Sequence, residues 1–477
     1  MSDADLSRPE LTHWRVLRIA LPIVLSNATV PILGAVDTGV VGQLGLAAPI
    51  GAVGLGGVVL ASVYWIFGFL RMGTSGMVAQ ARGAGEHAET GAILVRALMI
   101  GGLAGLAAVA LQGPLFWAAF RLAPASPEVE RLARAYLRIR IFGAPATISL
   151  YAVTGWLIAQ ERTRGVLVLQ LWMNVVNITL DLWFVLGLGW GVRGVASATL
   201  TAEWTGLLLG LWLCRGAFAG EQWHDWARVF DRARLRRMLS VNSDIMLRTV
   251  LLQGCFTSFV FLGAGFGDTT LAANQVLMQF ISITAFALDG FAFAAESLVG
   301  QAVGARSVAG VRRASVMTGE WGAGGAVLLA LGFAVLGPWI IDVMAKDAGV
   351  REAARSFLPW VVAAPLVGVA SWMFDGIFIG ATMTRAMLAA MAVSVAIYAL
   401  SLVVLLPWWG NVGLWASLMV LNAARGVSMA ALYPQVERRA AGATASLGDQ
   451  SPRLQPHWRS RRGRGARQGR GRGGPLG

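Results

Sequence analysis

Residues 19–39 read IALPIVLSNATVPILGAVDTG, an apolar run that carries no charge from Ile19 to Val36 and then reaches Asp37. A run of this length crosses the hydrocarbon core of a bilayer as one helix. A charge at that depth is costly unless it is paired, solvated or protonated. Asp181 repeats the situation in the segment 177–181, NITLD. Together these segments predict a membrane protein that moves ions or protons coupled to something else.

The composition of the whole chain agrees with this reading. Of its 477 residues 56% are hydrophobic and only 13% are charged, and the mean hydropathy is +0.63. Soluble domains carry about 25% charged residues, so we expect an all-α polytopic membrane protein. We place about twelve transmembrane helices, near 16–41, 47–69, 92–116, 135–158, 165–188, 194–214, 242–265, 271–295, 316–337, 358–381, 386–406 and 412–433.

The arginines predict the orientation of these helices. The connections 70–91, 159–164, 215–241 and 296–315 are rich in arginine, whereas those at 42–46, 266–270 and 407–411 carry no arginine or lysine. Cytoplasmic connections carry the excess of positive charge. We therefore expect both termini in the cytoplasm.

An internal repeat divides the chain into two copies of one bundle. Val78–Ala84, VAQARGA, corresponds to Val299–Ala305, VGQAVGA, at an offset of 221. Two further pairs follow in the same order: Gly155–Ile158 with Gly376–Ile379 at the same offset, and Trp190 with Trp409 at 219. Each copy holds six helices, which suits two lobes that alternate in access around one site.

The repeat sets the predicted domain boundaries. They are a cytoplasmic arm at 1–15, an N-lobe at 16–214, a cytoplasmic linker at 215–241, a C-lobe at 242–435 and a tail at 436–477. The tail is rich in arginine and glycine and lacks the apolar residues of a core, so we expect it to be disordered. We interpret it as a solvated segment near anionic lipid and expect no nucleic-acid partner.

Polar side chains in the N-lobe form the first candidate site. Asp37, Asn177, Asp181 and Thr199 lie at one depth in the predicted helices. Two carboxylates in a poorly hydrated pocket suit a proton carrier. The same oxygens could equally hold a sodium ion. Proline permits bending, so Pro22 and Pro31 predict a kink or an unwound turn in the first helix.

A second cluster of intramembrane charges lies in the C-lobe. Arg248, Asp289 and Asp375 fall at similar distances from the cytoplasmic ends of their helices. We expect Arg248 to form an ion pair or a triad with these carboxylates, either as a structural contact or as part of a substrate path. The chain offers no phosphate-binding loop and no histidine and cysteine cluster at metal-ligand spacing. It predicts no enzyme, no cofactor and no structural metal site.

Several motifs of the chain are similar to those of one known family. Over about residues 12–435 the chain resembles the multidrug and toxic compound extrusion (MATE) transporters, specifically the DinF-type (DNA-damage-inducible protein F) branch. The motifs are Val36-Asp37-Thr38, Gly155-Trp156-Leu157, Asn177-Ile178-Thr179-Leu180-Asp181, Gly189-Trp190-Gly191-Val192 and Leu288-Asp289-Gly290.

The resemblance implies roles for individual residues. Asp37 matches the cation-responsive carboxylate of the first helix, and Pro22 matches the proline at which that helix bends. Asn177, Asp181 and Thr199 match its polar partners, and Asp375 falls where other branches carry an acidic ion-site residue. Thr249 and Val250 stand where those branches have a glutamate, which argues against a sodium site in the C-lobe.

The resemblance also implies a function. We expect a secondary active antiporter in a bacterial inner membrane that exports organic, often cationic, compounds in exchange for protons or sodium. Its partners would be small organic substrates and the lipid bilayer, and the transporter would be a monomer driven by an ion gradient. The alternative is a lipid-linked oligosaccharide flippase of the same superfamily, which would need more basic residues in its cavity than Arg248.

Overall fold

A computed structural model describes residues 11–43, 45–123, 125–219 and 224–448. The described residues form helices joined by short connections, and they contain no strand. In chain order the helices are α1 His13–Gly42, α2 Ala47–Ile66, α3 Phe69–Gly83, α4 His87–Ala110, α5 Gln112–Leu122, α6 Pro127–Arg140, α7 Ala144–Ala159, α8 Thr163–Asp181, α9 Val192–Leu213, α10 Trp226–Val229, α11 Arg232–Ala264, α12 Asp268–Gly304, α13 Val308–Met344, α14 Ala348–Gly380, α15 Thr384–Trp409 and α16 Asn411–Gly448.

The helices reproduce the predicted membrane protein. Eleven helical segments of the described chain are long and apolar enough to cross a membrane, with α2 and α3 forming one such segment and α6 and α7 another. The remaining predicted span, 194–214, coincides with α9, which is 22 residues long but is not among the eleven. Glu203 and several hydroxyl side chains lower the hydropathy of α9. The all-α, polytopic fold class is confirmed.

The helices extend further than their hydropathy predicts, into the predicted arm, linker and tail. α16 continues past residue 435 because Val436 and Ala440 are buried and Glu437 forms an ion pair with Arg312. Residues 436–448 are therefore helical, while 449–477 lie outside the described residues. The predicted linker holds α10 and the first turns of α11, and the predicted arm holds the start of α1; residues 1–10 are not described.

The two halves of the chain, the N-half (α1–α9) and the C-half (α11–α16), pack against each other at one end. The larger hydrophobic core joins N-half helices to the ends of α11, α12, α14 and α16 that lie next to the arginine-rich connections. We call this end the arginine-rich side. A second core lies entirely within the C-half. Apolar side chains on the outer faces remain exposed, such as Leu328, Leu331 and Val335 on α13, as a lipid environment allows.

The internal repeat is visible in the packing of the two halves. A Cβ atom on Gly155 would lie 2.4 Å from the carbonyl oxygen of Arg71, and one on Gly376 would lie 2.2 Å from that of Ala292. Both pairs are related by the offset of 221. The same close helix contact, which only glycine permits, is thus built once in each half.

Candidate functional site

A single amide joins the two predicted carboxylates of the N-half. Nδ2 of Asn177 donates to Oδ1 of Asp37 at 2.7 Å and to Oδ2 of Asp181 at 2.6 Å. All three side chains are buried. Among the described residues no arginine, lysine or histidine forms an ion pair with either carboxylate. This cluster, Asp37, Asn177 and Asp181, is called the carboxylate site below.

The carboxylate site has more acceptors than donors. Oδ1 of Asn177 and Oδ1 of Asp181 are buried without a hydrogen-bond partner in the described structure. The carboxyl groups of Asp37 and Asp181 are themselves close enough to interact directly. Buried acceptors of this kind are normally paired. A proton or a small cation would supply the missing partner, so the chemistry of the site suits reversible ion binding.

The local fold explains how α8 brings its two residues together. Asn177 and Asp181 lie one turn apart on α8, so both project from one face of that helix. The helix changes to a π-helical turn over Leu182–Gly187, directly after Asp181. Such turns occur frequently at functional sites.

α1 continues through both of its prolines. It is one helix from His13 to Gly42, with Pro22 and Pro31 inside it, so no unwound turn is present beside Asp37, and the alternative of a kink stays a prediction. Proline at position 22 cannot donate to the carbonyl of Arg18. The hydroxyl of Thr163 donates to that carbonyl instead, at 3.3 Å. The side chain therefore replaces the lost backbone hydrogen bond and allows the helix to continue.

Thr199 is buried in the same half but is not part of the carboxylate network in the described structure. Its hydroxyl donates to the carbonyl of Val195 in its own helix at 3.0 Å.

Beside the carboxylate site lies a buried ion pair that hydropathy did not predict. Nη1 of Arg140 lies 2.6 Å from Oε2 of Glu203, and the charge of Arg140 acts on both aspartates.

The C-half contains a counterpart of the carboxylate site without its charge. The offset of 221 relates Asp37 to Ser258 and Asn177 to Tyr398. The hydroxyl groups of Ser258 and Tyr398 lie 3.0 Å apart. The repeat thus preserves the contact between the two helices but keeps carboxylates in the N-half only.

The charged cluster of the C-half is built around Asp375. Its Oδ2 accepts from Arg248 and also from Nη2 of Arg425, at 2.7 Å from the latter. Asp289 forms no ion pair within the described chain. Of the two predicted partners of Arg248, the structure pairs only Asp375 with it, and it adds Arg425.

These charges line a cavity of about 500 Å³ between the two halves. The cavity carries aromatic side chains together with the unpaired Asp289. It ends towards the arginine-rich side at Arg71 of α3, whose Nη1 lies 3.4 Å from Oε2 of Glu296 on α12. The guanidinium of Arg71 also stacks on the ring of Phe293 at 3.9 Å. This ion pair links the halves across the floor of the cavity.

Below that floor the halves are joined by two contacts that the repeat relates to each other. Nε2 of Gln80 donates to the carbonyl of Gly380 at 2.9 Å and to Oγ1 of Thr382 at 3.0 Å. Nε2 of Gln301 donates to Oε1 of Glu161 at 2.9 Å and to the carbonyl of Ala159 at 3.5 Å. We call these contacts the paired glutamine latch.

Glu161 of the latch is held in its charged form. Burial alone would raise the pKa of this carboxyl. The hydrogen bond and charge of Arg15, the charge of Arg82 and the hydrogen bond from Gln301 outweigh that effect and lower it. The N-half side of the latch is therefore an ionic network at neutral pH.

Several residues of these sites were missed in the sequence although a signal was present. Arg140, Glu203 and Arg425 all lie inside predicted spans, where the rule that selected Asp37 also applies. Glu296 lies one residue beyond a predicted span. For Arg71 and Gln80 the sequence offered no such signal, since both lie in an arginine-rich connection whose helical structure was not predicted.

Comparisons with known proteins agree with a membrane protein built from two repeated halves. The MatE family model matches residues 22–183 and again 245–405. DNA damage-inducible protein F of Escherichia coli (strain K12) is 38% identical over 437 residues, which cover 90% of this chain and 93% of that protein. The probable multidrug resistance protein NorM of Pseudomonas aeruginosa is 26% identical, covering 78% of this chain and 77% of that protein.

A solved structure has the same fold. It is that of a MATE transporter of Vibrio cholerae in its bent form, with a TM-score of 0.79 and 20% identity, and the match covers 90% of this chain and 97% of that one. The two matches of the family model coincide with the two copies of the repeat. The chain belongs to the MatE family of multi-pass membrane transporters.

Proposed function

We propose that this transporter exports organic cations in exchange for protons and that the carboxylate site couples the two movements. The observation that carries the proposal is the shared amide of Asn177, which holds Asp37 and Asp181 together although neither forms an ion pair in the described structure. In a buried site two adjacent carboxylates favour retaining a proton between them. Loss and uptake of that proton would change the charge next to α1 in each cycle.

A proton fits this site better than sodium does. A proton needs one acceptor, and Oδ1 of Asp181 is free to take it. Sodium would need several converging oxygens, whereas Thr199 forms no hydrogen bond with the carboxylate site in the described structure and its hydroxyl donates to Val195.

The interhalf cavity supports an organic cation as the substrate. Its volume of about 500 Å³ lies within the usual range for small-molecule sites. Aromatic faces and a carboxylate together attract such a cation. Asp289 is the carboxylate without an ion pair, whereas Arg248 and Arg425 share Asp375. Arg71 is also paired with Glu296, so each arginine that lines the cavity in the described structure contacts a carboxylate, which gives no support to the flippase alternative.

Alternating access would follow from opening the arginine-rich side, which we place in the cytoplasm. The Arg71–Glu296 ion pair and the paired glutamine latch would then separate, and the cavity would become accessible from that side. Transport of a solute against its gradient requires that proton binding and this opening be coupled.

The proposal is tested by measuring the uptake of a cationic dye into inverted membrane vesicles, where uptake corresponds to export from the cell. The vesicles carry an imposed pH gradient and contain no sodium. We expect Asp37→Asn to abolish gradient-driven transport of a cationic dye, because it removes the titrating charge and preserves size. Asp181→Asn should have a milder effect if one proton is shared. Asp268→Asn, an exposed aspartate at the start of α12, is the matched control and should transport normally.

Two results would contradict the proposal. Full transport by Asp37→Asn at neutral pH would exclude this carboxylate as the coupling group. Strict dependence on sodium at constant pH would replace the proton by sodium as the coupling ion.

A further inference from the structure

A second cavity lies at the arginine-rich side, separate from the interhalf cavity that Asp289 lines. Its volume is about 480 Å³, and it opens where α3 and α4 of the N-half face α11, α12 and α16 of the C-half. Five arginines and two glutamates line it. They are Arg96, Arg234, Arg237, Arg306, Arg439, Glu86 and Glu89.

Two of the five arginines already have a carboxylate partner. Nη1 of Arg96 lies 2.9 Å from Oε1 of Glu89, and Arg234 pairs with the other oxygen of the same group. Glu86 also lines the cavity, and its negative charge favours the charged form of Arg237, although the two form no ion pair in the described structure. An excess of positive charge therefore remains on Arg237, Arg306 and Arg439.

Two of the remaining arginines, Arg237 and Arg439, converge on neutral acceptors. Nη2 of Arg237 lies 3.5 Å from Oγ1 of Thr382, and Nη2 of Arg439 lies 3.1 Å from the same oxygen. Arg237 also donates to Oε1 of Gln80 at 3.0 Å. Within the described chain no carboxylate forms an ion pair with Arg237, Arg306 or Arg439. Two guanidinium groups at one hydroxyl repel each other, and an anion with several oxygens would relieve that repulsion.

We propose that this cavity binds a phosphate group, carried either by an anionic phospholipid or by soluble phosphate. Guanidinium groups match phosphate oxygens with paired hydrogen bonds. Basic clusters on the cytoplasmic face of membrane proteins attract anionic lipids in the same way.

The position of the site gives the bound phosphate group a consequence for conformation. Gln80 belongs to the N-half, whereas Arg237, Arg439 and Thr382 belong to the C-half. The two arginines reach the residues of the paired glutamine latch, so the site is complete only when the halves are packed together. A ligand that binds one conformation better shifts the population towards it. The phosphate group therefore favours the state that is closed on the arginine-rich side.

The test uses the purified full-length transporter and two double variants. Arg237→Gln with Arg439→Gln removes the convergent pair. Arg236→Gln with Arg438→Gln is the matched control, since each of its arginines is the exposed chain neighbour of a site arginine and does not line the cavity. Binding of phosphatidylglycerol in mixed micelles is measured against phosphatidylcholine, and inorganic phosphate is added as a competitor.

We expect the site variant to bind phosphatidylglycerol roughly twenty-five-fold more weakly, since each arginine contributes about a factor of five. The control should bind as the wild type does. Competition by millimolar phosphate would identify a soluble phosphate site, and its absence would identify a lipid headgroup. Arg306→Gln alone should give an intermediate loss and covers the case in which the double variant does not fold. Equal affinities in all variants, or no preference of the wild type for phosphatidylglycerol, would overturn the proposal.

Discussion

At the scale of single residues, the two halves of the repeat use different side chains at the same contact between two helices. In the N-half the contact is an amide shared by two carboxylates, whereas in the C-half it is a pair of hydroxyl groups on Ser258 and Tyr398. Hydroxyl groups satisfy each other without a counterion. The carboxylates need a proton or a cation for the same purpose, so the ion coupling that we propose would be confined to one half.

The shared carboxylate of Asp375 leads to an ordered prediction for stability. Asp375→Asn should destabilise the protein by about 3–5 kcal/mol, because it leaves two buried guanidinium groups without a counterion. Arg248→Gln should cost clearly less, because Asp375 keeps its partner Arg425. Unfolding in detergent, followed by tryptophan fluorescence, measures both changes.

Asp289→Asn is the control for this series. Asp289 lines the same cavity but forms no ion pair in the described structure, so its neutralisation should leave the free energy of unfolding nearly unchanged. A loss of stability in Arg248→Gln as large as that in Asp375→Asn would show that the two arginines do not share the carboxylate.

At the scale of elements, α1 shows how a helix tolerates an internal proline. Proline 22 removes the backbone donor to Arg18, and Thr163 at the start of α8 supplies a side-chain donor in its place. This contact also ties the beginning of α8 to α1. The two helices that carry the carboxylate site, α1 and α8, are thus joined twice, by Thr163 at the start of α8 and by Asn177 near its end.

Removing the hydroxyl of Thr163 should therefore destabilise α1. Thr163→Val leaves the partly buried Arg18 carbonyl without this donor, which costs about 0.5–1.5 kcal/mol. Pro22→Ala restores the backbone donor, so the double variant Pro22→Ala with Thr163→Val should recover most of the loss. Unfolding in detergent of the single and double variants measures this coupling, and additive losses would exclude it.

At the scale of the whole molecule, the paired glutamine latch depends on backbone contacts between the halves. A Cβ atom on Gly83 would lie 2.0 Å from the carbonyl oxygen of Gln301, and one on Gly304 would lie 2.0 Å from that of Gln80. These glycines are related by the repeat offset of 221. The closed arginine-rich side is therefore possible only because neither position carries a side chain.

Alanine at either glycine should open this side. We expect Gly83→Ala and Gly304→Ala each to speed the modification of a reporter, Ser297→Cys, by a maleimide. The rate should rise about tenfold for each ~1.4 kcal/mol by which the closed state is destabilised. Ser297 is buried at the joint, where its hydroxyl donates to the carbonyl of Ala159.

Gly102→Ala and Gly324→Ala are the matched controls, one in each half, because a Cβ atom at either position would meet no other heavy atom within 4 Å. Both should leave the reporter as slow as in the parent. The wild-type chain, whose Cys214 and Cys255 are buried, gives the background. Unchanged labelling in both glycine variants would show that these contacts do not limit opening.

Much of this architecture could be predicted from the sequence because whether a segment spans a membrane depends mainly on the residues of that segment. Each apolar run must satisfy its backbone hydrogen bonds within itself, so hydropathy identifies helices without reference to their partners. The repeat offset of 221 predicted two equivalent halves, and the cost of a buried charge selected Asp37, Asp181, Arg248 and Asp375.

Pairing was decided only by the tertiary structure. The sequence did not distinguish Asp289 from Asp375 as the partner of Arg248, and it did not indicate that Arg425 shares the same carboxylate. Nor could it show that Thr199 bonds to its own helix or that Gln80 and Gln301 cross between the halves. Depth along a helix follows from the position of a residue in the chain. Which side chains meet at that depth depends on helix rotation and on the packing of distant segments, which no local pattern encodes.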